Sequence, residues 1–224
     1  MLTAGDTSGG KYLCDVWLPS LRSKGEYSGD VLIFNYDLDK THEKSLRKDK
    51  RVFVEKVEKT EGIFFCRHRD AYHLLQKKYF DYDVVLCSDG KDIVFQVPLE
   101  PLFLEAEKIV CCVVEPVLHK EWWSKISSPE GEKIQSVLAD LSIINLGMYV
   151  GPLSQIVDVE KFILENYSFC KNDQTWFNVM VYFHGFPVKL LDKTWNWGTK
   201  LGFKIVNGVY FGLNDEKIAI FHKH

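Results

Sequence analysis

The feature that most constrains this chain is the alternation of short, β-branched apolar runs with stretches of helical periodicity. Apolar runs fall at Val31 to Tyr36, Val52 to Val57, Val84 to Cys87, Ile109 to Val114, Ile143 to Val150, Val188 to Leu191, Ile205 to Phe211 and Ile218 to Phe221. Helical patterns fill Lys11 to Arg22, Asp70 to Phe80, Glu130 to Leu141, Pro152 to Asn166 and Asp173 to Phe183. Buried strands separated by helices pack as an α/β sheet, not as a bundle or a sandwich. Leu13, Val16, Trp17 and Leu21 share one face of the first helix, which Pro19 must kink or end. Asp70 offers an N-cap to the second helix, and Pro152 suits a first turn. With 224 residues, no Ser/Gly-rich linker and no internal repeat, a single domain is expected.

Charge and composition narrow the function classes. A net charge of -3 argues against nucleic-acid binding, which needs a clustered positive excess. Residues 40–59 carry eight Lys/Arg against four Asp/Glu and read as a solvated face, with phosphate or an anionic surface as the alternative. No apolar run approaches the roughly 18 residues of a membrane span. The opening MLTAGDTSGG lacks the layout of a signal peptide. A cytoplasmic protein is the expectation. The cysteines Cys14, Cys66, Cys87, Cys111, Cys112 and Cys170 include no C-x-x-C pair and read as reduced core residues.

Two strand-like runs, Val84 to Cys87 and Ile93 to Phe95, are separated by Ser88-Asp89-Gly90-Lys91-Asp92. Open α/β sheets bind ligands at the C-terminal ends of their strands. Two carboxylates close together there repel unless a cation or donors lie between them, and hard divalent cations prefer such oxygens. The alternative is an ordinary turn, since Asp and Gly favour turns for backbone reasons alone. The phosphate-loop, dinucleotide-turn, zinc-helix and nucleophile-elbow motifs are all absent.

Several segments together resemble GT-A-type nucleotide-sugar glycosyltransferases. Asp83 to Gln96, followed by Pro98 and Pro101-Leu102-Phe103, resembles their acidic strand-end motif. Ile144 to Gly151 is similar to their "N-x-G…G" strand, and Asn172 to Asn178 to their "DQ" helix start. Ile220-Phe221-His222 resembles the strand whose histidine completes the metal site, and Leu2 to Asp6 the first strand and nucleotide loop. The family's usual motif has one residue between its carboxylates, whereas two separate Asp89 from Asp92.

The resemblance implies a single Rossmann-like GT-A domain with a central mixed, mostly parallel sheet flanked by helices. Its nucleotide-binding part would be about residues 1–105 and its acceptor part about 106–224. It implies a hexosyltransferase-type enzyme moving a sugar from a nucleotide diphosphate sugar, UDP favoured, to a hydroxyl of a carbohydrate or glycoprotein acceptor, with Mn²⁺ or Mg²⁺. Asp92 would ligate the cation, Asp89 would contact the ribose or a second metal position, and His222 would be the third protein ligand. His224 is a rival to His222. A mixed oxygen and nitrogen shell suits Mn²⁺ better than Ca²⁺. Thr3, Ala4, Gly5, Asp6, Arg67, Asp89, Gly147 and Gln174 would form the nucleotide-sugar site. Asn145 would read a sugar hydroxyl pair, and Asp173 would face the donor sugar or the acceptor hydroxyl.

Plain structural readings stand beside these. Asn145 and Gly147 fit a bulge in a core strand, Asp173 fits an N-cap, and His222 fits a solvent-exposed side chain. Trp195-Asn196-Trp197-Gly198 fits a sugar-stacking platform or a buried loop anchor, and Trp122-Trp123 leans to core. Arg67, Arg69 and Lys77 fit either phosphate contact or a solvated surface. Two other functions remain open: a sugar-nucleotide-forming nucleotidyltransferase, which Gly5 to Lys11 matches in part, and a non-catalytic carbohydrate-binding or interaction module of the same fold.

Overall fold

The computed structural model describes residues 1–77, 82–121 and 125–223, so the end of the Asp70 to Phe80 helical pattern, Trp122, Trp123 and His224 lie outside the described residues. The strands are β1 (Leu2–Gly5), β2 (Val31–Asn35), β3 (Val52–Lys56), β4 (Val84–Ser88), β5 (Ile93–Phe95), β6 (Val110–Leu118), β7 (Ser142–Pro152), β8 (Val188–Leu190), β9 (Trp197–Gly198), β10 (Lys204–Val206), β11 (Val209–Phe211) and β12 (Ile220–His222). The α-helices are α1 (Gly10–Tyr12), α2 (Leu18–Ser23), α3 (Lys40–Leu46), α4 (Ile63–Leu75), α5 (Glu100–Glu105), α6 (Gly131–Leu138), α7 (Leu153–Asn166) and α8 (Asp173–Asn178).

Seven strands form the central sheet in the order β3-β2-β1-β4-β7-β6-β8. Strands β3, β2, β1 and β4 pair in parallel, β7 runs against both β4 and β6, and β8 lies parallel to β6. The sheet is therefore mixed and mostly parallel, as expected. Its two faces carry separate cores. Strand residues alternate between them: Phe34, Val85, Cys87 and Cys112 face one, and Ile33, Leu86, Cys111 and Val113 face the other. That alternation is what a pleated strand with helices on both sides requires. None of the six cysteines forms a disulfide, and burial pushes the Cys111 thiol up to about 11.

Two features of this sheet build the site. Chain order reverses at β1 and β4, whose C-terminal ends open side by side, the crevice position of doubly wound folds. Strand β7 also bulges there: Cys111 pairs with Val150 and Val113 with Asn145, so the register slips across the Asn145 to Val150 stretch. Bulges re-aim strands beside functional clefts. A second, three-stranded sheet in the order β5-β12-β9 sits next to this end, and the β10–β11 hairpin packs against it, Tyr210 stacking on Phe221.

Several local expectations are corrected. Pro19 does not end the first helix, because a π turn over Leu13–Trp17 places it in the first turn of α2, where proline costs no hydrogen bond. Asp70 is not an N-cap; it lies inside α4 and accepts from the Tyr36 hydroxyl and the Arg69 guanidinium. The run Ile205 to Phe211 is not one strand but a hairpin, turned at Asn207 and Gly208, both with positive φ. The charged stretch 40–59 holds α3, capped by Asp39 through the Thr41 and His42 amides, and then edge strand β3.

Candidate functional site

A cleft of about 540 Å³ opens at the β1/β4 end, lined by Ala4, Gly5, Asp6, Arg67, Asp89, Asp92, Asn145, Gly147, Asp173, Gln174 and His222 among others. Residues from the first strand to the last therefore converge on one wall. Thr3 is the exception. It is buried and does not line the cleft; its hydroxyl donates to the Ser88 carbonyl at 2.8 Å and so holds β1 against β4. Asp6 Oδ1 accepts from the Ser8 amide and hydroxyl and from the Gly9 amide. Burial raises the Asp6 pKa, but these bonds outweigh it and hold the carboxyl below its ordinary value.

One ligand atom each from Asp89, Asp92 and His222 lie within 4.8 Å of one another. The two-residue spacing follows from the fold: Asp89 directly follows β4 of the large sheet, while Asp92 directly precedes β5 of the small one. The pairing of β12 with β5 sets His222 opposite Ile93, and the Lys223 amide bonds to the Asp92 carbonyl at 2.8 Å. His222 Nε2 lies 3.5 Å from Asp89 Oδ2 and 3.6 Å from Asp92 Oδ1. His222 is buried, not solvent-exposed.

Gly147 makes this clustering sterically feasible. A Cβ there would meet His222 Cε1 at 2.2 Å and Asp89 Oδ2 at 2.9 Å. Its carbonyl accepts the Asp89 amide at 2.8 Å. Two carboxylates and an imidazole around a cradle that only glycine leaves open suit a Mn²⁺- or Mg²⁺-type ion chemically.

Behind the cluster runs a charged network. The Arg67 guanidinium donates to both Asp89 and Asp173. His68 joins Asp173 Oδ2 at 3.0 Å to Glu160, which also accepts from the Tyr149 hydroxyl. Burial would raise the Asp173 pKa, but Arg67, His68 and the Gln174 amide outweigh it and hold the carboxyl far below the ordinary range. Asp89 is likewise lowered, burial being overcome by Arg67 and His222. Burial opposes charge on His68, yet Glu160 and Asp173 raise its pKa overall.

Asp173 starts α8 but does not cap it. Asn172 does, accepting from the Thr175 amide at 2.8 Å, which leaves Asp173 to face Arg67 and His68. Gln174 lines the cleft, and its Oε1 accepts the Leu146 amide at 3.1 Å. Asn145 is buried, and its Oδ1 accepts from Gly147 N at 2.7 Å and Asn196 Nδ2 at 2.8 Å while its Nδ2 donates to Glu115. Trp197 is 2% exposed and donates to the Gly202 carbonyl, so it anchors its loop and is no sugar platform.

Reading the sequence alone misses His68, Glu160, Tyr149 and Glu115. His68 shares a buried helix side with Ala71 and Leu75, an imidazole in an apolar stripe that hints at a partner. Glu160 sits among the buried positions of α7 in the same way. Lys91, Lys171 and Lys200 also line the cleft, and nothing in their local sequence marks them.

Among solved structures, the chain is similar to an active-site mutant of LgtC, with a TM-score of 0.67 and 14% identity over 99% of this chain and 86% of that one. A structure of the galactosyltransferase LgtC with donor and acceptor sugar analogues matches with a TM-score of 0.64 and 14% identity over the same shares. The bifunctional glycosyltransferase WbbM matches with a TM-score of 0.64 and 15% identity, over 99% of this chain but 45% of that one. No protein family description and no curated protein sequence matches the chain. The fold is that of the GT-A-type glycosyltransferases.

Proposed function

We propose that this chain is a glycosyltransferase that moves a sugar from a nucleotide diphosphate sugar, UDP favoured, to a hydroxyl of a carbohydrate or glycoprotein acceptor. The observation that carries the reading is the Asp89, Asp92 and His222 cluster on the wall of a cleft at the β1/β4 crevice of this fold. A divalent ion held there supplies Lewis-acid neutralisation of charge developing on the leaving diphosphate. Arg67 fixes the cleft-facing orientations of Asp89 and Asp173 together. Asp173, held ionised, is poorly matched to accept a proton; it suits positioning of the donor sugar and stabilisation of positive charge developing on it.

Two tests bear on this. Asp92→Ala is expected to abolish metal-dependent transfer or hydrolysis of the sugar nucleotide; unchanged turnover removes Asp92 from the mechanism. A thermal-shift panel of UDP, GDP and CMP sugars with and without Mn²⁺ should raise the melting temperature for one nucleotide class only when Mn²⁺ is present. If no sugar nucleotide raises it, the non-catalytic module becomes the better reading, and pyrophosphate-dependent exchange would favour the nucleotidyltransferase.

A further inference from the structure

We infer that Asn196 is a positioning residue that fixes a hydrogen on His222 Nδ1 and so makes Nε2, which faces the Asp89 and Asp92 carboxylates, the ring nitrogen able to ligate an ion. The inference rests on the metal reading for its functional meaning, but its geometry starts elsewhere, at a backbone amide.

A backbone N–H can only donate. The Asn145 atom 2.7 Å from the Gly147 nitrogen must therefore be the side-chain oxygen, whichever way an amide might otherwise be turned. That oxygen also meets Asn196 at 2.8 Å, so the Asn196 atom facing it must be the amide nitrogen. Turning the Asn196 amide over would set two oxygens against each other. Its own oxygen is thereby committed to His222 Nδ1, 3.0 Å away, and that ring nitrogen must carry the hydrogen. At the far end, Asn145 Nδ2 donates to the Glu115 carboxylate, which fixes the same orientation independently.

The loop bearing Asn196 is itself fixed. Strand β9 pairs in parallel with β12, matching Phe221 to Trp197 and His222 to Gly198. The turn before it is capped by Asp192, which accepts the Thr194 amide at 2.8 Å, and the Ala219 amide bonds to the Thr194 carbonyl at 2.9 Å. Trp197, buried and bonded to Gly202, secures the other side. The Trp-Asn-Trp-Gly motif thus gains a reason beyond packing: its tryptophan anchors the loop, and its asparagine chooses the tautomer.

The choice matters because a neutral imidazole offers one lone pair. With the hydrogen on Nδ1, Nε2 can ligate; with the hydrogen on Nε2, an N–H would point into the carboxylate cluster where a cation belongs.

Long-range ¹H–¹⁵N NMR on the metal-free protein reads directly whether His222 Nδ1 carries a hydrogen. His222 should show a protonated Nδ1, hydrogen-bonded to Asn196; a bare Nδ1 overturns the inference. Asn196→Ala should lose that preference and weaken Mn²⁺ binding, followed by electron paramagnetic resonance, about 10- to 100-fold. A wild-type tautomer together with wild-type Mn²⁺ affinity in Asn196→Ala would also overturn it. If the unaltered protein binds no Mn²⁺, the metal reading falls, while the metal-free spectra still decide for or against Asn196.

Discussion

Gly147 and His222 touch across the cleft so closely that the imidazole occupies the space a side chain at residue 147 would need. The bulge in β7, the absence of a Cβ and the position of the ring are one arrangement. Gly147→Ala should therefore push His222 off the cluster. The expected result is Mn²⁺ affinity reduced about tenfold or more, with a stability cost of about 1–3 kcal/mol from overpacking. Mn²⁺ titration and urea unfolding on the same variant check the two effects.

Arg67 holds two largely buried carboxylates at once. Arg67→Ala leaves both without their cation and should cost about 3 kcal/mol or more in urea unfolding. Arg67→Lys keeps the charge but cannot fork to both, so an intermediate loss is expected.

His68 gives a pH signature. Glu160, Asp173, Arg67 and, through Glu160, Tyr149 are the charged and titratable groups around it, and its folded pKa is raised. A raised pKa contributes stability that is fully present below the unfolded value of about 6.5 and is lost as pH rises through the folded value. The stability gap between the unaltered protein and His68→Gln should thus be widest in mild acid and shrink in alkali. Denaturant midpoints across that range measure it, and a gap that widened with pH would contradict the assignment.

Asn172→Ala removes the α8 cap and should cost about 1 kcal/mol. It also frees the α8 N-terminus to recruit Asp173 as a substitute cap. Transfer activity should then fall further than the stability loss explains, a difference seen by comparing turnover with the melting temperature.

Much of this was legible before any coordinates. The central strands declare themselves because burial on both faces demands unbroken apolar runs, and Asp89, Asp92 and His222 carry their chemistry in residue type. Local pattern does not encode their meeting, which depends on β12 pairing with β5 across about 130 residues of chain; the family resemblance alone implies it. Thr3 looked like part of a nucleotide loop because a strand end is polar for two reasons, and here its hydroxyl serves the strand next door. Asp173 looked like a cap because helix starts favour Asp as readily as Asn; only the bond from Thr175 to Asn172 separates the two. Asn196 lies between two tryptophans, and nothing in that local pattern marks its amide as the partner of a histidine 26 residues on.

Of the three clustered side chains, His222 ends the last strand of the small sheet, Asp92 directly precedes β5 of that sheet, and Asp89 directly follows β4 of the large one. An ion gripped by all three would act as a rivet between the two sheets, adding to the Asn145–Asn196–His222 hydrogen bonds that already link them. Amide hydrogens along β5 and β12 should then exchange more slowly once the rivet is in place. Conversely, fraying of the last strand would disarm the protein while its seven-stranded core stayed whole.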